Sequence, residues 1–376
     1  MLRIVADDKI PFLKGALEPF AEVTYIPGKQ ISREHLTNSD ALLVRTRTQC
    51  DENLLADSSV KFIGTATIGY DHIDTAYCEA KNITWTNAPG CNSSSVQQYI
   101  AAGLLKIASE NKFELKGKTL GIIGVGSVGS KVEKFAKAVG MKVLLNDPPR
   151  ERAEGKNHFH TLEELLSGSD IITVHVPLNI EGKDLTYHLF NEVKFKLLKK
   201  GAWFINSSRG EVTDSEALKN VLSSGHLGGI ILDVWENEPD IDLDLMNLAF
   251  ISTPHIAGYS TDGKANGTAM VVNSLSNYFN LSLIDWYPDN IPFPKYPFIP
   301  IDCSFESVEA IIRQVVNHSY NIDADNNSLR RSPLDFEKLR GDYPLRREFP
   351  SYSIDLQNGS ENIRKILSDL GFGIKS

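Results

Sequence analysis

The sequence predicts an α/β chain with two doubly wound parallel-sheet domains and a small α+β domain at its C-terminal end. Three observations predict it. Short apolar runs alternate with segments of helical spacing through two successive stretches, residues 1–90 and 118–285. Such alternation marks strand–helix–strand units, whose crossover helices keep the strands parallel and cover both faces of the sheet. A glycine turn, Gly124-Val-Gly126-Ser-Val-Gly129, joins an apolar run to a helical segment at the head of the second stretch. The prolines Pro288, Pro292, Pro294, Pro297 and Pro300 then interrupt the pattern.

Taken in order, strands are predicted at residues 2–5, 23–26, 41–44, 62–66 and 83–86, apolar runs too short for helices. A long helical pattern follows over residues 93–113, with Asn92 and Ser93 as candidate caps. The second stretch has strands at 119–124, 142–145, 171–176, 202–206, 229–234 and 250–252, and helices at 127–139, 191–199, 214–224 and 261–279. The prolines after Trp286 read as a linker or crossing segment, because proline has no amide hydrogen to give a helix or a central strand. Beyond them Val308, Ile311, Ile312 and Val315, and again Ile363, Ile366, Leu367 and Leu370, have the spacing of amphipathic helices. Residues 352–356 form a candidate strand between the two. A tail of about ninety residues is small for a core of its own, so docking onto another surface or chain is expected.

Composition excludes several classes. Of 376 residues, 41% are hydrophobic and 23% charged, as in a soluble globular protein of two or three domains. The formal net charge of −9 leaves no basic footprint for nucleic acid or an anionic membrane surface, though a local basic pocket for a small anion is compatible. No apolar stretch approaches the ~20 residues of a membrane span, and Met1-Leu-Arg-Ile-Val runs into the first strand without a signal-peptide pattern. Cys50, Cys78, Cys91 and Cys303 form no CxxC pair, which suits reduced thiols in a cytoplasmic protein. No metal site is expected, since no His, Cys and Asp cluster has ligand spacing.

The glycine turn carries the first chemistry. A lone GxGxxG says little, but here a strand precedes it, a helix follows, and Asp147 stands at the end of the next strand. Gly124 permits the tight turn, Gly126 lets a pyrophosphate approach, and Gly129 lets helix and strand pack closely. Backbone N–H groups of Ser127 and Val128 would face the phosphates at the positive end of the helix. Asp147 would accept from the adenosine ribose hydroxyls and repel a 2′-phosphate, which favours NAD over NADP, with Arg150 as the contrary sign.

Three polar residues each follow a later strand. They are Arg209 in Asn206-Ser207-Ser208-Arg209-Gly210, Glu238 in Asp233-Val-Trp-Glu-Asn-Glu238-Pro239, and His255 in Thr253-Pro254-His255-Ile-Ala-Gly258. Ligands of open parallel sheets gather beyond the carboxyl ends of the strands, so these side chains can converge on one crevice. A guanidinium can hold a carboxylate through a planar fork, and a cation, an acid and an imidazole together suggest proton and hydride chemistry. An imidazole takes a hydroxyl proton near neutral pH, and an acid on its other nitrogen fixes the tautomer.

At these residues the chain resembles the NAD-dependent D-2-hydroxyacid dehydrogenase family, and the likeness takes in Gly69-Tyr-Asp-His-Ile-Asp74 and Asn87-Ala-Pro-Gly90. The resemblance implies a flavodoxin-like substrate domain of residues 1–92 and 259–285, a Rossmann NAD domain of residues 93–258, and a third domain of residues 286–376. It implies Arg209, Glu238 and His255 as catalytic residues. Besides the glycine turn and Asp147, it implies cofactor contacts from Val176 through its backbone, and from Ser207, Ser208, Asp233 and Gly258, with Asp233 near the nicotinamide carboxamide. Closure of the cleft is expected about hinges at residues 88–95 and 258–260. His72, His160, His175, His188 and His226 lack such company and are assigned to surfaces or local hydrogen bonds.

Val44-Arg45-Thr46-Arg47-Thr48 follows the third strand. Read as extended chain, it points Arg45 and Arg47 to one side, and two cations suit the charge of a phosphorylated substrate. A finer resemblance within the family rests on Asn146-Asp147-Pro148-Pro149-Arg150, Thr65-Ala-Thr67-Ile-Gly69-Tyr-Asp-His72, His255-Ile-Ala-Gly258-Tyr259-Ser260 and the proline-rich tail. It is to members that oxidise a small phosphorylated 2-hydroxy acid. It implies substrate contacts from Thr46, Thr67 and Tyr259, and a homodimer formed through the C-terminal domain. The tail residues Arg340, Arg346 and Arg347 are candidates to reach a neighbouring subunit's active site, the other reading of Arg346 and Arg347 being a solvated pair on the surface of a helix or loop. Two rivals stay open: a member acting on 3-phosphoglycerate, whose regulatory tail would show βαββαβ alternation, and an NADH-sensing scaffold that keeps the catalytic trio.

Overall fold

The computed structural model describes residues 1–304 and 306–375. Contacts divide the chain into two units, Met1–Asn92 with Ser260–Pro292, and Ser93–Tyr259 with the segment from Phe293 onward.

In the first unit β1 (Leu2–Asp7), β2 (Ala21–Ile26), β3 (Ala41–Val44), β4 (Phe62–Thr65) and β5 (Thr84–Thr86) pair in parallel in the order β2-β1-β3-β4-β5. Successive side chains of a strand point to opposite faces, and the two cores divide accordingly. Val5, Leu42 and Val44 enter one, while Ile4, Ala6, Ala41 and Leu43 enter the other. The helix Thr261–Phe279 supplies Val271, Val272 and Leu275 to the second core, which is why this late segment belongs to the first unit. It lies directly on β4: a Cβ added at Gly64 would sit 2.5 Å from Val271 Cγ1.

The second unit holds β6 (Thr119–Ile123), β7 (Lys142–Asn146), β8 (Ile171–Val174), β9 (Trp203–Asn206), β10 (Gly229–Leu232) and β11 (Ile251–Ser252). They form a parallel sheet in the order β11-β10-β9-β8-β6-β7. The winding reverses between β6 and β8, so the crevice beyond their carboxyl ends is the natural ligand site, and the glycine turn follows β6. Several strands stop before their apolar runs do, leaving Val176 and Val234 in the carboxyl-end loops.

The proline-rich start of the tail departs in part from its reading as a linker or crossing segment. β12 (Phe298–Asp302), β13 (Ser353–Gln357) and β14 (Gly373–Ile374) form a parallel sheet in that order. β12 includes Pro300, opposite Asp355. Proline is tolerated there because β12 is an edge strand, with a neighbour on one side. The helices Ile322–Arg331 and Phe336–Gly341 carry too few apolar residues to show a period in the sequence. The tail shares one core with the helix Ser93–Glu110: Ile299, Ile311, Val315, Ile354 and Leu367 join Tyr99, Ile100 and Leu104. That helix is therefore buried nearly all round, as an apolar helix between two layers must be.

Candidate active site

The three glycines of the turn do different things. Gly124 has φ +83°, and a Cβ there would lie 2.3 Å from the His175 carbonyl oxygen. A Cβ at Gly129 would lie 2.1 Å from the Gly124 oxygen, so that contact closes the helix onto the strand. At Gly126 a Cβ would meet nothing within 4 Å. The helix Ser127–Ala138 begins there with no side-chain cap, which leaves its first N–H groups, those of Ser127 and Val128 among them, for an outside acceptor. Ser207 Oγ is buried and has no hydrogen-bond partner, although buried hydroxyls nearly always have one. An open cradle of amides and an orphaned hydroxyl in the same unit fit the phosphates of a dinucleotide.

Asp147 has work within the fold that its motif does not announce. Its Oδ2 accepts from Val125 N at 2.8 Å and its Oδ1 from Arg150 N at 3.1 Å, so the carboxylate ties the glycine turn to the end of β7. One lone pair on each oxygen remains for a ribose hydroxyl. Arg150, the contrary sign for cofactor choice, is engaged elsewhere. Its Nε and Nη2 donate to Glu154 at 2.6 and 2.8 Å, and its Nη1 to the Val125 carbonyl at 2.6 Å.

Beyond β9, β10 and β11 the sheet presents the trio. His255 Nδ1 lies 2.7 Å from Glu238 Oε2, and Glu238 Oε1 accepts from Trp235 N at 3.0 Å. Burial pushes the Glu238 carboxyl up, but the charge and hydrogen bond of His255, the Trp235 N–H and the charge of Arg340 outweigh it and hold the carboxyl low. An ionised Glu238 only accepts, so the His255 proton sits on Nδ1 and leaves Nε2 as the basic nitrogen. Arg209 is half-buried, with Nη1 donating to the Ser208 carbonyl at 2.8 Å. Gly210 lets its loop lie against the next one, since a Cβ there would be 2.0 Å from Trp235 C and O.

The sequence reading missed the residues that hold these loops. Asn206 Nδ2 donates to the Arg209 carbonyl, and its Oδ1 accepts from Ser208 N and Oγ. Trp235 Nε1 donates to the Thr253 carbonyl at 3.0 Å, and Tyr99 Oη meets Thr253 Oγ1 at 2.8 Å. Asp233, expected near a carboxamide, is buried and first of all organises the His255 loop. It accepts from Thr253 Oγ1, Ile256 N and Ala257 N at 2.6–2.8 Å, leaving one lone pair of Oδ2. His188, set aside as lacking company, pairs with Glu236 Oε1 at 2.7 Å, while Glu236 Oε2 accepts from Ser215 N. Tyr259 packs edge-on against Tyr343, while Val176 and Gly258 are half-buried.

In the first unit the segment after β3 turns and does not extend, so the alternation expected of Arg45 and Arg47 does not apply. Arg45 Nη1 donates to the Lys9 carbonyl at 3.2 Å, and Thr46 and Arg47 are exposed. Thr67 Oγ1 donates to the Gly69 carbonyl and contacts Thr65 Oγ1, to which His72 Nε2 also bonds. Lys264 was not foreseen. Burial, and then the charge of Arg45, hold its ammonium below its usual value, and such a desolvated cation favours an anion. Arg346 and Arg347 are not a solvated doublet: Arg346 is buried within its own unit, and Arg347 lends its carbonyl to Gln98 Nε2. Among the described residues no group of three or more His, Cys, Asp or Glu could hold a metal ion, and no helix is long and apolar enough to cross a membrane.

Glu238 gives a pH prediction. Its folded value lies below its ordinary 4.5, so its contribution to stability is full above that value and fades as pH falls through the folded one. The unfolding midpoint of Glu238→Gln should therefore depend less on pH in the acid range than that of the parent. Parallel slopes in thermal melts would contradict this.

Comparison with known proteins identifies the family. Residues 92–257 match the D-isomer specific 2-hydroxyacid dehydrogenase NAD binding domain, and residues 292–371 match a domain of unknown function. The chain is 49% identical to the erythronate-4-phosphate dehydrogenase of Bacteroides fragilis over 354 residues, covering 94% of this chain and 99% of that one. It is 38% identical to the enzyme of that name from Proteus mirabilis, over 99% of each chain. Among solved structures, D-lactate dehydrogenase from Aquifex aeolicus, complexed with NAD and lactic acid, matches with TM-score 0.62 and 29% identity, over 74% of this chain and 95% of that one. NAD⁺-bound 3-phosphoglycerate dehydrogenase of Entamoeba histolytica matches with TM-score 0.62 and 27% identity, over 75% and 98%. This chain belongs to the erythronate-4-phosphate dehydrogenase family, within the D-isomer specific 2-hydroxyacid dehydrogenases.

Proposed function

We propose that the protein oxidises 4-phospho-D-erythronate to (R)-3-hydroxy-2-oxo-4-phosphooxybutanoate with NAD, a step of pyridoxine 5′-phosphate biosynthesis. The observation that carries this is the 2.7 Å contact of His255 with Glu238, in a chain that keeps the family's pattern over 94% of its length. NAD, when bound, supplies the hydride acceptor. Arg209 holds the carboxylate and C2 oxygen of the substrate through its planar fork. His255 Nε2 takes the C2 hydroxyl proton, and Glu238 stabilises the imidazolium that results. Arg45, Arg47 and Lys264 are assigned to the phosphate, and Thr46, Thr67 and Tyr259 to the rest of the substrate.

The amides of Ser127 and Val128, the open flank of Gly126 and the hydroxyls of Ser207 and Ser208 would hold the dinucleotide, with Asp147 on the ribose. Val176 and Gly258 would add contacts, and Asp233 keeps one lone pair for the carboxamide. NAD is favoured over NADP because Asp147 repels a 2′-phosphate and Glu154 already occupies Arg150. Asp147→Asn removes the charge and keeps one of the two acceptor contacts, since its Nδ2 cannot accept, so the readout is the ratio of NAD to NADP and not the affinity for either. Preference for NAD should then fall about tenfold, the factor that ~1.4 kcal/mol of lost repulsion yields, and an unchanged ratio would argue against this assignment.

A homodimer through the tail is part of the reading, supported by the exposed Phe293, Tyr296, Phe298 and Leu334 and testable by sedimentation. So is a cytoplasmic location, supported by the free thiols Cys50, Cys78, Cys91 and Cys303. The parallel strands of the tail differ from the βαββαβ alternation of a phosphoglycerate-type regulatory domain. The deciding experiment compares 4-phosphoerythronate, 3-phosphoglycerate and unphosphorylated glycerate, with a 2-oxo acid present to reoxidise bound nucleotide. Turnover highest with 3-phosphoglycerate, or absent with all three, would overturn the assignment.

A further inference from the structure

The backbone of the His255 loop is gripped on both its donor and its acceptor sides. Its amides, Ile256 N and Ala257 N, donate to Asp233 at 2.8 Å each. Its carbonyls accept from a residue of the tail 90 positions further along. Arg346 Nη1 lies 3.3 Å from both Ile256 O and Ala257 O, Nη2 donates to Ser95 O at 2.6 Å, and Nε donates to Gln98 Oε1 at 2.8 Å. Ser95 Oγ adds a second donor to Ala257 O at 2.9 Å. The guanidinium is 5% exposed and lies 3.7 Å from the centroid of the Tyr320 ring.

A buried cation is costly, and an apolar side chain would anchor a tail as well or better. These hydrogen bonds have a narrower use. Apart from Tyr343 in its own segment, the atoms Arg346 holds belong to two places, the start of the helix Ser93–Glu110 and the two residues after His255. A rigid fork that spans both sets the loop against the helix, whereas an apolar anchor leaves the peptide planes of Ile256 and Ala257 unaimed. The loop needs such support, because His255 sits at φ +55°, a left-handed conformation sparsely populated by residues other than glycine. Two further tail contacts act on the strand that leads into it. Asn326 Oδ1 accepts from Ser252 N at 2.9 Å, and Arg330 Nη2 donates to the Ala249 carbonyl. Arg340 lies 5.7 Å from the centroid of the Tyr259 ring, just past the loop.

We propose that the C-terminal segment acts in cis as a brace for the catalytic loop, with Arg346 as a positioning residue that keeps His255 in register with Glu238. This rests on the reading of His255 as the base. It gives the tail a part in the reaction besides any part in assembly.

Lysine carries the charge of arginine but not its fork, so Arg346→Lys in the full chain is the test. It should bind NADH within about twofold of the parent affinity and hold its KM for NAD, while kcat falls about 10- to 100-fold, the scale of a small misplacement of a reacting group. Amide exchange should rise across residues 250–259 and stay unchanged across residues 119–130. Leu367→Ala loosens the core that the tail shares and removes none of the loop's hydrogen bonds, so it should lower the melting temperature while leaving kcat alone. A kcat for Arg346→Lys within twofold of the parent overturns the proposal, as does an equal loss of kcat in Leu367→Ala. Should Arg346→Lys not fold, Gln98→Ala removes the acceptor that orients Nε, together with the Nε2 bonds to Ser319 Oγ and the Arg347 carbonyl, and an unchanged kcat there decides against the brace. His255→Asn separates the two claims. If it stays active, the reading of His255 itself is at fault; if it is dead while Arg346→Lys is fully active, only the brace fails.

Discussion

Replacing His255 with asparagine should leave the fold and the dinucleotide affinity intact and lower kcat by roughly 10²- to 10⁴-fold, the usual worth of a positioned general base. Asparagine is the informative substitution because of the backbone. At φ +55° alanine would add strain to the chemical loss, whereas asparagine is among the residues that adopt left-handed conformations readily. Its amide can still donate to Glu238, so the carboxylate is not left buried and unpaired, an omission that would cost stability in its own right. What disappears is a group that can take a proton near neutral pH. Initial rates of NADH formation, with NADH binding measured separately, check this. A variant within tenfold of the parent rate would mean that another group takes the proton.

How much of this could be read from the residues differs between the two halves of the problem. The strand at residues 41–44 and the helix at residues 261–279 match the structure to the residue, the strand because its apolar run is bounded by Asp40 and Arg45, the helix because Ser260 caps its start and Asn280 ends it in a left-handed conformation. The glycine turn and the pairing of His255 with Glu238 were legible because both depend on particular residue types at strand ends. The tail was not. Pro300 argued against a strand, yet on an edge its missing amide hydrogen is not needed. Arg346 looked like half of a surface doublet, since nothing local distinguishes a guanidinium that meets solvent from one whose partners are carbonyls 89, 90 and 251 positions away. Asp233 and Asp147 were assigned to ligands, while their contacts within the protein connect loops that are neighbours only after folding. Sequence patterns report periodicity and required residue types, whereas the bonds that aim a catalytic group are long-range and carry no period.

Gly210→Ala should have the second large effect, and it distinguishes aiming from bonding. Gly210 has no unusual φ, so alanine meets no dihedral objection; the obstacle is steric. The added Cβ would lie 2.0 Å from Trp235 C and O and 2.5 Å from Glu236 N, all of them backbone atoms that no rotamer change can move aside. One of the two loops must shift. If the Arg209 loop moves, the guanidinium leaves its place; if residues 235–236 move, Trp235 carries with it the N–H that holds Glu238 and the indole that holds Thr253. Either way the proposed catalytic trio would lose its mutual alignment while all three of its side chains are retained. Overpacking of this kind costs about 1–3 kcal/mol or more, and a displacement near 1 Å in a reacting group lowers the rate about 10²-fold. Gly126→Ala is the counterpart, because its Cβ enters open space. It should leave the melting temperature nearly unchanged and weaken only dinucleotide binding. If calorimetry and steady-state kinetics show Gly210→Ala as stable and as active as the parent, the contact between the Arg209 loop and residues 235–236 does not align the site.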